Sequence, residues 1–240
     1  MDVLVGRGLV KRYGDLVVLD DVDFTLGAAE AVGIVGPNGA GKTTLLSVLA
    51  GSVELTAGEV LLRDQVVTNL RPDVRCGRGL ARAFQVPRPF GGMTVLENVL
   101  VGATAGGHLR GIPAYDRSID ALVTCGLDGL SNRRADSLGL LHRKRLELAR
   151  ALATDPAVLL LDEIGGGLTD AEAAQLVVTI QQLHAQGIAI VWIEHIVHIL
   201  VQVVDRLVCM DAGKVIADGP PEEVLQDAAV VSAYLGRGPQ

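Results

Sequence analysis

An apolar run, Ala31-Val32-Gly33-Ile34-Val35, leads into Gly36-Pro37-Asn38-Gly39-Ala40-Gly41-Lys42-Thr43 and then into the helix-forming stretch Thr44-Leu45-Leu46-Ser47-Val48-Leu49. The eight central residues match G-x-x-x-x-G-K-[ST], and a strand before and a helix after are the setting that motif requires. Glycines let the backbone curl so that successive amides point inward, and the helix that follows adds its positive end. Such a loop is a cradle for a polyphosphate. Lys42 can reach terminal phosphates as a point charge, and the Thr43 hydroxyl is a hard oxygen of the kind magnesium takes.

Two further short apolar runs, Ala157 to Leu161 and Ile188 to Ile193, are bounded by turn signals, as strands buried on both faces of a parallel sheet are. The core therefore reads as α/β. The first thirty residues differ: Val3 to Val10 and Val17 to Leu26, joined by the turn-prone Tyr13-Gly14-Asp15 and closed by Gly27, predict an antiparallel sheet. Thr169-Asp170-Ala171-Glu172 predicts a capping box for a helix that runs to about Gln186, with Gly187 as its stop. Val86 to Asp136 holds no strand pattern and reads as a mostly helical insertion. Alternation returns at Arg206 to Asp218, turning at Asp211-Ala212-Gly213-Lys214, before Pro220-Pro221-Glu222-Glu223 opens a last helix.

Val158-Leu159-Leu160-Leu161-Asp162-Glu163 puts two acids at the end of one of the buried strands, the edge of a parallel sheet where ligands bind. Asp162 would hold magnesium, directly or through water, and Glu163 would orient and polarise an attacking water. Phosphoryl transfer asks mainly for positioning and charge neutralisation, and the loop and the acids offer both. Composition narrows the alternatives. The 240 residues are 49% apolar and 20% charged, enough for one large domain or two lobes on a shared core and unlike a disordered chain. A net charge of −7 disfavours a general nucleic-acid-coating role. Cys76, Cys125 and Cys209 are odd in number and far apart, which reads as reduced thiols with no metal knuckle. The N-terminus lacks the pattern of a secretory signal. Gly187 to Val204 reaches spanning length but carries Glu194, His195 and His198 near its middle, so it reads as a buried strand followed by a helix.

With these elements in this order, the chain resembles the ATP-binding subunits of ABC transporters over nearly all of its length. Beyond the loop and the acids, Tyr13 in Lys11-Arg12-Tyr13-Gly14 matches the aromatic residue that stacks on adenine. Arg82-Ala83-Phe84-Gln85 is similar to the Q-loop, whose glutamine contacts magnesium and water and relays to the membrane partner. Gly166-Gly167-Leu168-Thr169 occupies the place of the D-loop, and Ile193-Glu194-His195 that of the switch histidine, which contacts the terminal phosphate. Ala83 to Phe90 running into Met93 to Val99, and the ending Gly219 to Leu225, resemble the subgroup serving importers of branched-chain amino acids and related amides or urea.

The resemblance implies a P-loop NTPase core, a mostly parallel sheet flanked by helices, with an N-terminal antiparallel β region and a helical insertion lobe. It implies a single ABC ATPase domain over 1–240, with residues 1–85 and 155–240 as the nucleotide-binding core and 86–154 as the helical lobe. ATP and Mg2+ are the implied cofactors: Gly36 to Thr43 and Thr44 on the phosphates, Thr43, Gln85 and Asp162 on the metal, and Glu163, Gln85 and His195 around the reaction. The implied partners are integral membrane permease subunits, a second ATP-binding subunit and, indirectly, a solute-binding receptor, with no nucleic acid. The implied place is cytoplasmic, peripheral on the inner face of the membrane. Two other readings stay open, a soluble ABC ATPase acting on nucleic acid or ribosomes and a nucleotide-dependent assembly module with little hydrolysis.

One motif departs from the family. Where Leu-Ser-x-Gly-Gln should precede the helix containing Arg145-Leu146-Glu147-Leu148-Ala149-Arg150-Ala151-Leu152, the chain has Asp136-Ser137-Leu138-Gly139-Leu140-Leu141-His142. Reading Ser137-Leu138-Gly139 as Ser-x-Gly makes Ser137 and Gly139 nucleotide contacts but leaves two extra residues before the helix. Counting back from Arg145-Leu146-Glu147 keeps the spacing but puts Leu141 at the glycine position. In the family this motif closes over the ATP held by the other subunit, so the departure predicts an asymmetric pair in which this chain offers a complete loop-side half-site and a weakened signature. Ile164, where the family usually has proline, predicts a minor backbone adjustment.

Overall fold

The two kinds of strand pattern build two different sheets. In the computed structural model, which describes residues 1–235, the alternating N-terminal runs pair antiparallel as β1 (Asp2–Tyr13) and β2 (Leu16–Gly27). Alternation reflects burial on one side: Val22, Phe24 and Leu26 of β2 point inward between exposed neighbours. The continuous run that follows is β3 (Ala31–Val35), every residue of it buried. Two strands outside the sequence reading, β4 (Ala57–Leu62) and β5 (Gln65–Val66), complete the first sheet in the order β2-β1-β4-β5.

The second sheet joins β3 to β6 (Leu80–Ala83), β7 (Val158–Asp162), β8 (Ala189–Ile193), β9 (Arg206–Asp211) and β10 (Lys214–Gly219), in the order β10-β9-β3-β8-β7-β6. All neighbouring pairs are parallel except β9 with β10, which turn back on each other at Asp211 and Lys214. Helix α1 (Lys42–Ala50) lies between the sheets. Its Leu45, Leu46, Val48 and Leu49 share one apolar cluster with Leu19, Phe24 and Leu26 of the first sheet and Ile34, Leu160 and Val191 of the second. That is why β3, β7 and β8 have no polar face: α1 covers one side and other helices the opposite one.

The segment after β6 is helical. It contains α3 (Val95–Val101), a π-helical turn at Gly102–Gly106, α4 (Ile112–Thr124) and α5 (Leu140–Leu152), following the short α2 (Pro72–Cys76) that precedes β6. One isolated bridge, Thr94 to Arg134, is its only β pairing among the described residues. Helix α6 (Asp170–Ala185) starts at the capping box read from the sequence, with Thr169 accepting from the Glu172 amide, and stops at Gln186 before Gly187 at φ +88°. Leu146, Leu148, Leu176 and Ile180 pack beneath Leu159, Leu161 and Trp192 on the sheet's other face.

Gly187 to Val204 is a strand followed by a helix, β8 and then α7 (Val197–Leu200), the helix a single turn. No helix among the described residues is long and apolar enough to cross a membrane. The tail corrects one expectation: α8 (Pro221–Gln226) opens at Pro221 but is not the last helix. Asp227 takes an extended conformation and its carboxylate accepts from the Ala229 and Val230 amides, which restarts the chain as α9 (Ala228–Leu235). The three cysteines are unpaired.

Candidate functional site

β3 ends between β8 and β9, and residues 36–41 return the chain into α1 in a tight bend. Gly36 and Gly41 sit at φ +144° and +102°, where a side chain is strained, and a Cβ on them would stand 2.1 Å from the Met210 carbonyl oxygen and 2.7 Å from that of Val18. The bend is therefore clamped by backbone from both sheets. α1 opens at Lys42 with no side chain capping it, which leaves its positive end to a ligand. Lys42 is buried and spans the loop, its Nζ donating to the Gly36 carbonyl at 2.7 Å and the Pro37 carbonyl at 3.0 Å. Burial lowers its pKa, and the facing Glu163 works against that shift. A cleft of about 190 Å3 opens here, lined by Val18, Asn38, Gly39, Ala40, Gly41, Lys42, Thr43, Thr44, Glu163 and His195.

Glu163 follows β7 directly and takes φ +46°, a left-handed conformation uncommon outside glycine and frequent at functional sites. Its amide still donates to the Ile193 carbonyl at 2.9 Å, so pairing with β8 runs one residue past the strand while the side chain turns over the cleft. One carboxylate oxygen accepts from Gln85 Nε2, and the other lies 2.8 Å from His195 Nε2. Asp162, the last residue of β7, is 5% exposed. Its Oδ2 lies 2.5 Å from Arg82 Nη2, and Arg82 Nη1 donates to Ser47 Oγ at 3.1 Å.

Two buried ions brace these loops. Glu194 Oε1 accepts from the Gly165 amide at 2.6 Å, tying the turn that carries His195 to the one that carries Glu163, and burial raises its pKa. Lys144 of α5 donates from Nζ to the Gln85 carbonyl at 3.3 Å. Burial lowers the Lys144 pKa, against the attraction of Glu194 and Glu163. Arg82, Lys144 and Ser47 carry no role in the sequence reading. The available signal was charge at positions whose neighbours are apolar: Arg82 sits inside Leu80-Ala81-Arg82-Ala83.

The remaining sequence-predicted residues lie elsewhere. Tyr13 is exposed at the β1–β2 turn with Lys11 Nζ 4.6 Å from its ring centre, and it does not line the cleft. Ser137 closes a 3-10 turn, its hydroxyl donating to the Arg134 carbonyl at 2.8 Å and accepting from Arg133 Nε at 3.2 Å. Gly139 is the N-cap of α5, and Leu140 begins the helix. Neither Ser137 nor Gly139 lines this cleft. Ile164 is buried in the core.

The donors suit a nucleotide and magnesium. A helix start without a side-chain cap beside a buried lysine fits phosphate. The Thr43 hydroxyl, Asp162 carboxylate and Gln85 amide are hard oxygens, and no group of three or more His, Cys, Asp or Glu among the described residues could hold a metal alone. That suits a cation that takes its other ligands from nucleotide and water.

A family model described as ABC transporter matches residues 19–165, and one described as branched-chain amino acid ATP-binding cassette transporter matches residues 214–239. The high-affinity branched-chain amino acid transport ATP-binding protein LivG of Escherichia coli (strain K12) is 35% identical over 245 residues, which cover 96% of each chain. The corresponding protein BraF of Pseudomonas aeruginosa is 32% identical over 249 residues, 98% of each. The solved ADP conformation of MJ1267, an ATP-binding cassette of an ABC transporter, matches with a TM-score of 0.89 and 32% identity, over 99% of this chain and 100% of that one. Matched over most of its length by this family model and by these relatives, the chain belongs to the ABC transporter family, as one of its ATP-binding, ATP-hydrolysing subunits.

Proposed function

We propose that the chain binds Mg-ATP in the cleft between Lys42 and Glu163, hydrolyses it with Glu163 as general base, and couples dimer closure to an importer of small polar solutes such as branched-chain amino acids. The observation that carries this reading is Glu163, held between Gln85 and His195 on the cleft that Lys42 and residues 38–44 line. The amides at the start of α1 and the Lys42 ammonium bind and orient the phosphate tail. Thr43, Asp162 and Gln85 would hold magnesium, which when bound neutralises charge on the phosphate oxygens. Glu163 accepts the proton of the attacking water, and Gln85 and His195 fix the direction in which its carboxylate points. Tyr13 takes the adenine, and the Ser137–Gly139 region faces the nucleotide of a second subunit.

Membrane permease subunits are the proposed partners, and the chain sits on the inner face of the membrane through them. In support, a groove of about 320 Å3 runs between the sheet and the helical segment, bordered by Phe84, Val101, Ala105, Glu147 and Arg150. Phe84, Val86 and Phe90 beside it are exposed large apolar side chains, a composition that fits a protein surface.

Glu163→Gln tests the chemistry. The neutral amide keeps the size of the side chain but cannot take a proton, so nucleotide binding persists while phosphate release falls by about a hundredfold or more. Turnover equal to the unmodified chain would remove Glu163 from the role. Co-purification with integral membrane subunits tests the coupling, and their absence from the purified complex would count against it.

A further inference from the structure

Arg82 is a cation set in a short apolar strand, with its side chain only 10% exposed. A guanidinium stays charged at any working pH, so its burial has to be compensated by partners. Those partners are Asp162 Oδ2 at 2.5 Å, Ser47 Oγ at 3.1 Å and the Phe84 ring, whose centre is 4.8 Å away. Its Nε is buried without a hydrogen-bond partner. A buried ion pair with an unmet donor is a weak source of stability, and an apolar side chain would fill the same space at less cost. The arrangement is explained by what it joins. Arg82 pairs in register with Leu160, two residues before Asp162, so the arginine and the aspartate share a sheet face. Ser47 lies four residues after Thr43, one helical turn along the same face of α1. The guanidinium therefore ties the carboxylate at the end of β7 to the helix that presents Thr43.

We propose that Arg82 is a positioning residue for Asp162 and Thr43 and that its fixed charge on one oxygen of Asp162 sets how weakly the site holds its divalent cation. This rests on the reading of Asp162 and Thr43 as magnesium ligands. A cation bound to a carboxylate repels a second cation approaching that carboxylate, and at 10% and 7% exposure of the two side chains solvent and salt screen little of this. Removing the charge tightens cation binding. Removing the two-point grip lets the carboxylate turn, which slows turnover.

The test titrates Mn2+ into the full chain saturated with a non-hydrolysable ATP analogue, following free Mn2+ by electron paramagnetic resonance, with each variant's nucleotide affinity in EDTA as its own reference. Arg82→Met is expected to bind Mn2+ about tenfold more tightly. Arg82→Lys keeps the charge and stays within about twofold of the unmodified chain, yet hydrolyses more slowly because one ammonium cannot grip Asp162 and Ser47 as the fork does. Arg82→Gln, neutral but able to donate to Asp162, carries the same expectation as Arg82→Met and replaces it if the methionine variant fails to fold. Unchanged or weaker Mn2+ binding in the neutral variants overturns the proposal, as does equal tightening in Arg82→Lys. If the unmodified nucleotide complex binds no Mn2+ at all, the magnesium reading fails first and takes the proposal with it.

Discussion

Glu194 is buried at 3% exposure beside His195, and its carboxylate is what holds Gly165 against β8. Burial raises its pKa above 4.5, further than the Gly165 and His195 amides bring it back down. In the unfolded chain the group ionises at its ordinary value. Between that value and the raised one the native state binds more protons than the unfolded state, so this group makes stability fall as pH rises through the window and leaves it level above. Glu194→Gln has no titration and can still accept from Gly165. The variant is therefore expected to gain stability relative to the unmodified chain as pH climbs out of the carboxylate range, and then to hold a constant difference. Urea unfolding at a series of pH values reads this directly, and a difference that ignores pH would show that burial does not raise the pKa of this carboxyl. In the same variant Lys144 loses a facing charge, and Gln85, which it anchors, loses definition. Hydrolysis should fall several-fold with little change in nucleotide affinity, and Lys144→Met, which removes the hydrogen bond to the Gln85 carbonyl outright, should lower it at least as far.

Among the elements, α1 is the one whose two ends do different work. Its N-terminus is left to the nucleotide, and its C-terminus is closed by Arg75, 2% exposed, which donates to the Val48 and Leu49 carbonyls at 2.9 and 2.7 Å and to those of Leu70 and Thr68 at 3.0 and 2.7 Å. Each of these acceptors is backbone. Burial lowers its pKa to about 10, which still leaves it charged at neutral pH, a cation at the negative end of the helix dipole. Arg75→Met strands two buried and two part-buried carbonyls and should cost about 2–4 kcal/mol in denaturant unfolding. A loss well under 1 kcal/mol would mean that water replaces the guanidinium. Nothing in the sequence around Pro72-Asp73-Val74-Arg75 marks the link to α1, because the Val48 and Leu49 carbonyls lie 27 and 26 residues earlier. The same limit explains what else was hidden. β3, β7 and β8 were legible because burial on two faces writes itself as an unbroken apolar run, and the phosphate loop because its glycines are forced by local geometry. β5 and β6 span two and four residues and carry Gln65 and Arg82, too little for a period to emerge. The Arg82–Asp162 pair joins positions 80 apart and exists only in the register of two parallel strands.

At the scale of the molecule, the chain builds one half of a nucleotide site more fully than the other. The cleft side has its loop, its buried lysine, Glu163 and His195 on one cleft, with Asp162 next to Glu163 at the end of β7. The signature side has an N-cap without a side chain, a first-turn Leu140 that is 44% exposed, and a nearby Ser137 hydroxyl already bound to Arg134 and Arg133. Backbone amides at the start of α5 remain able to meet a phosphate, but no hydroxyl or carboxamide joins them, and in the register counted back from Arg145 the expected glycine position falls on Leu141. Two copies of this chain would pair two complete cleft sides with two weakened signatures. A different ATPase subunit with an intact signature would complete the site built here. Phosphate release by the purified chain alone is therefore expected to be at least about tenfold slower than by an equimolar mixture with such a subunit, since removing one oxyanion donor typically costs that much or more. Gly139→Ser combined with Leu141→Gly should raise the rate of the lone chain, because it returns a hydroxyl and space to the start of α5 without touching the cleft. Fast turnover by the unmodified chain alone, rising with the square of its concentration as a homodimer forms, would show that the leucines do not impair the signature and that like subunits suffice.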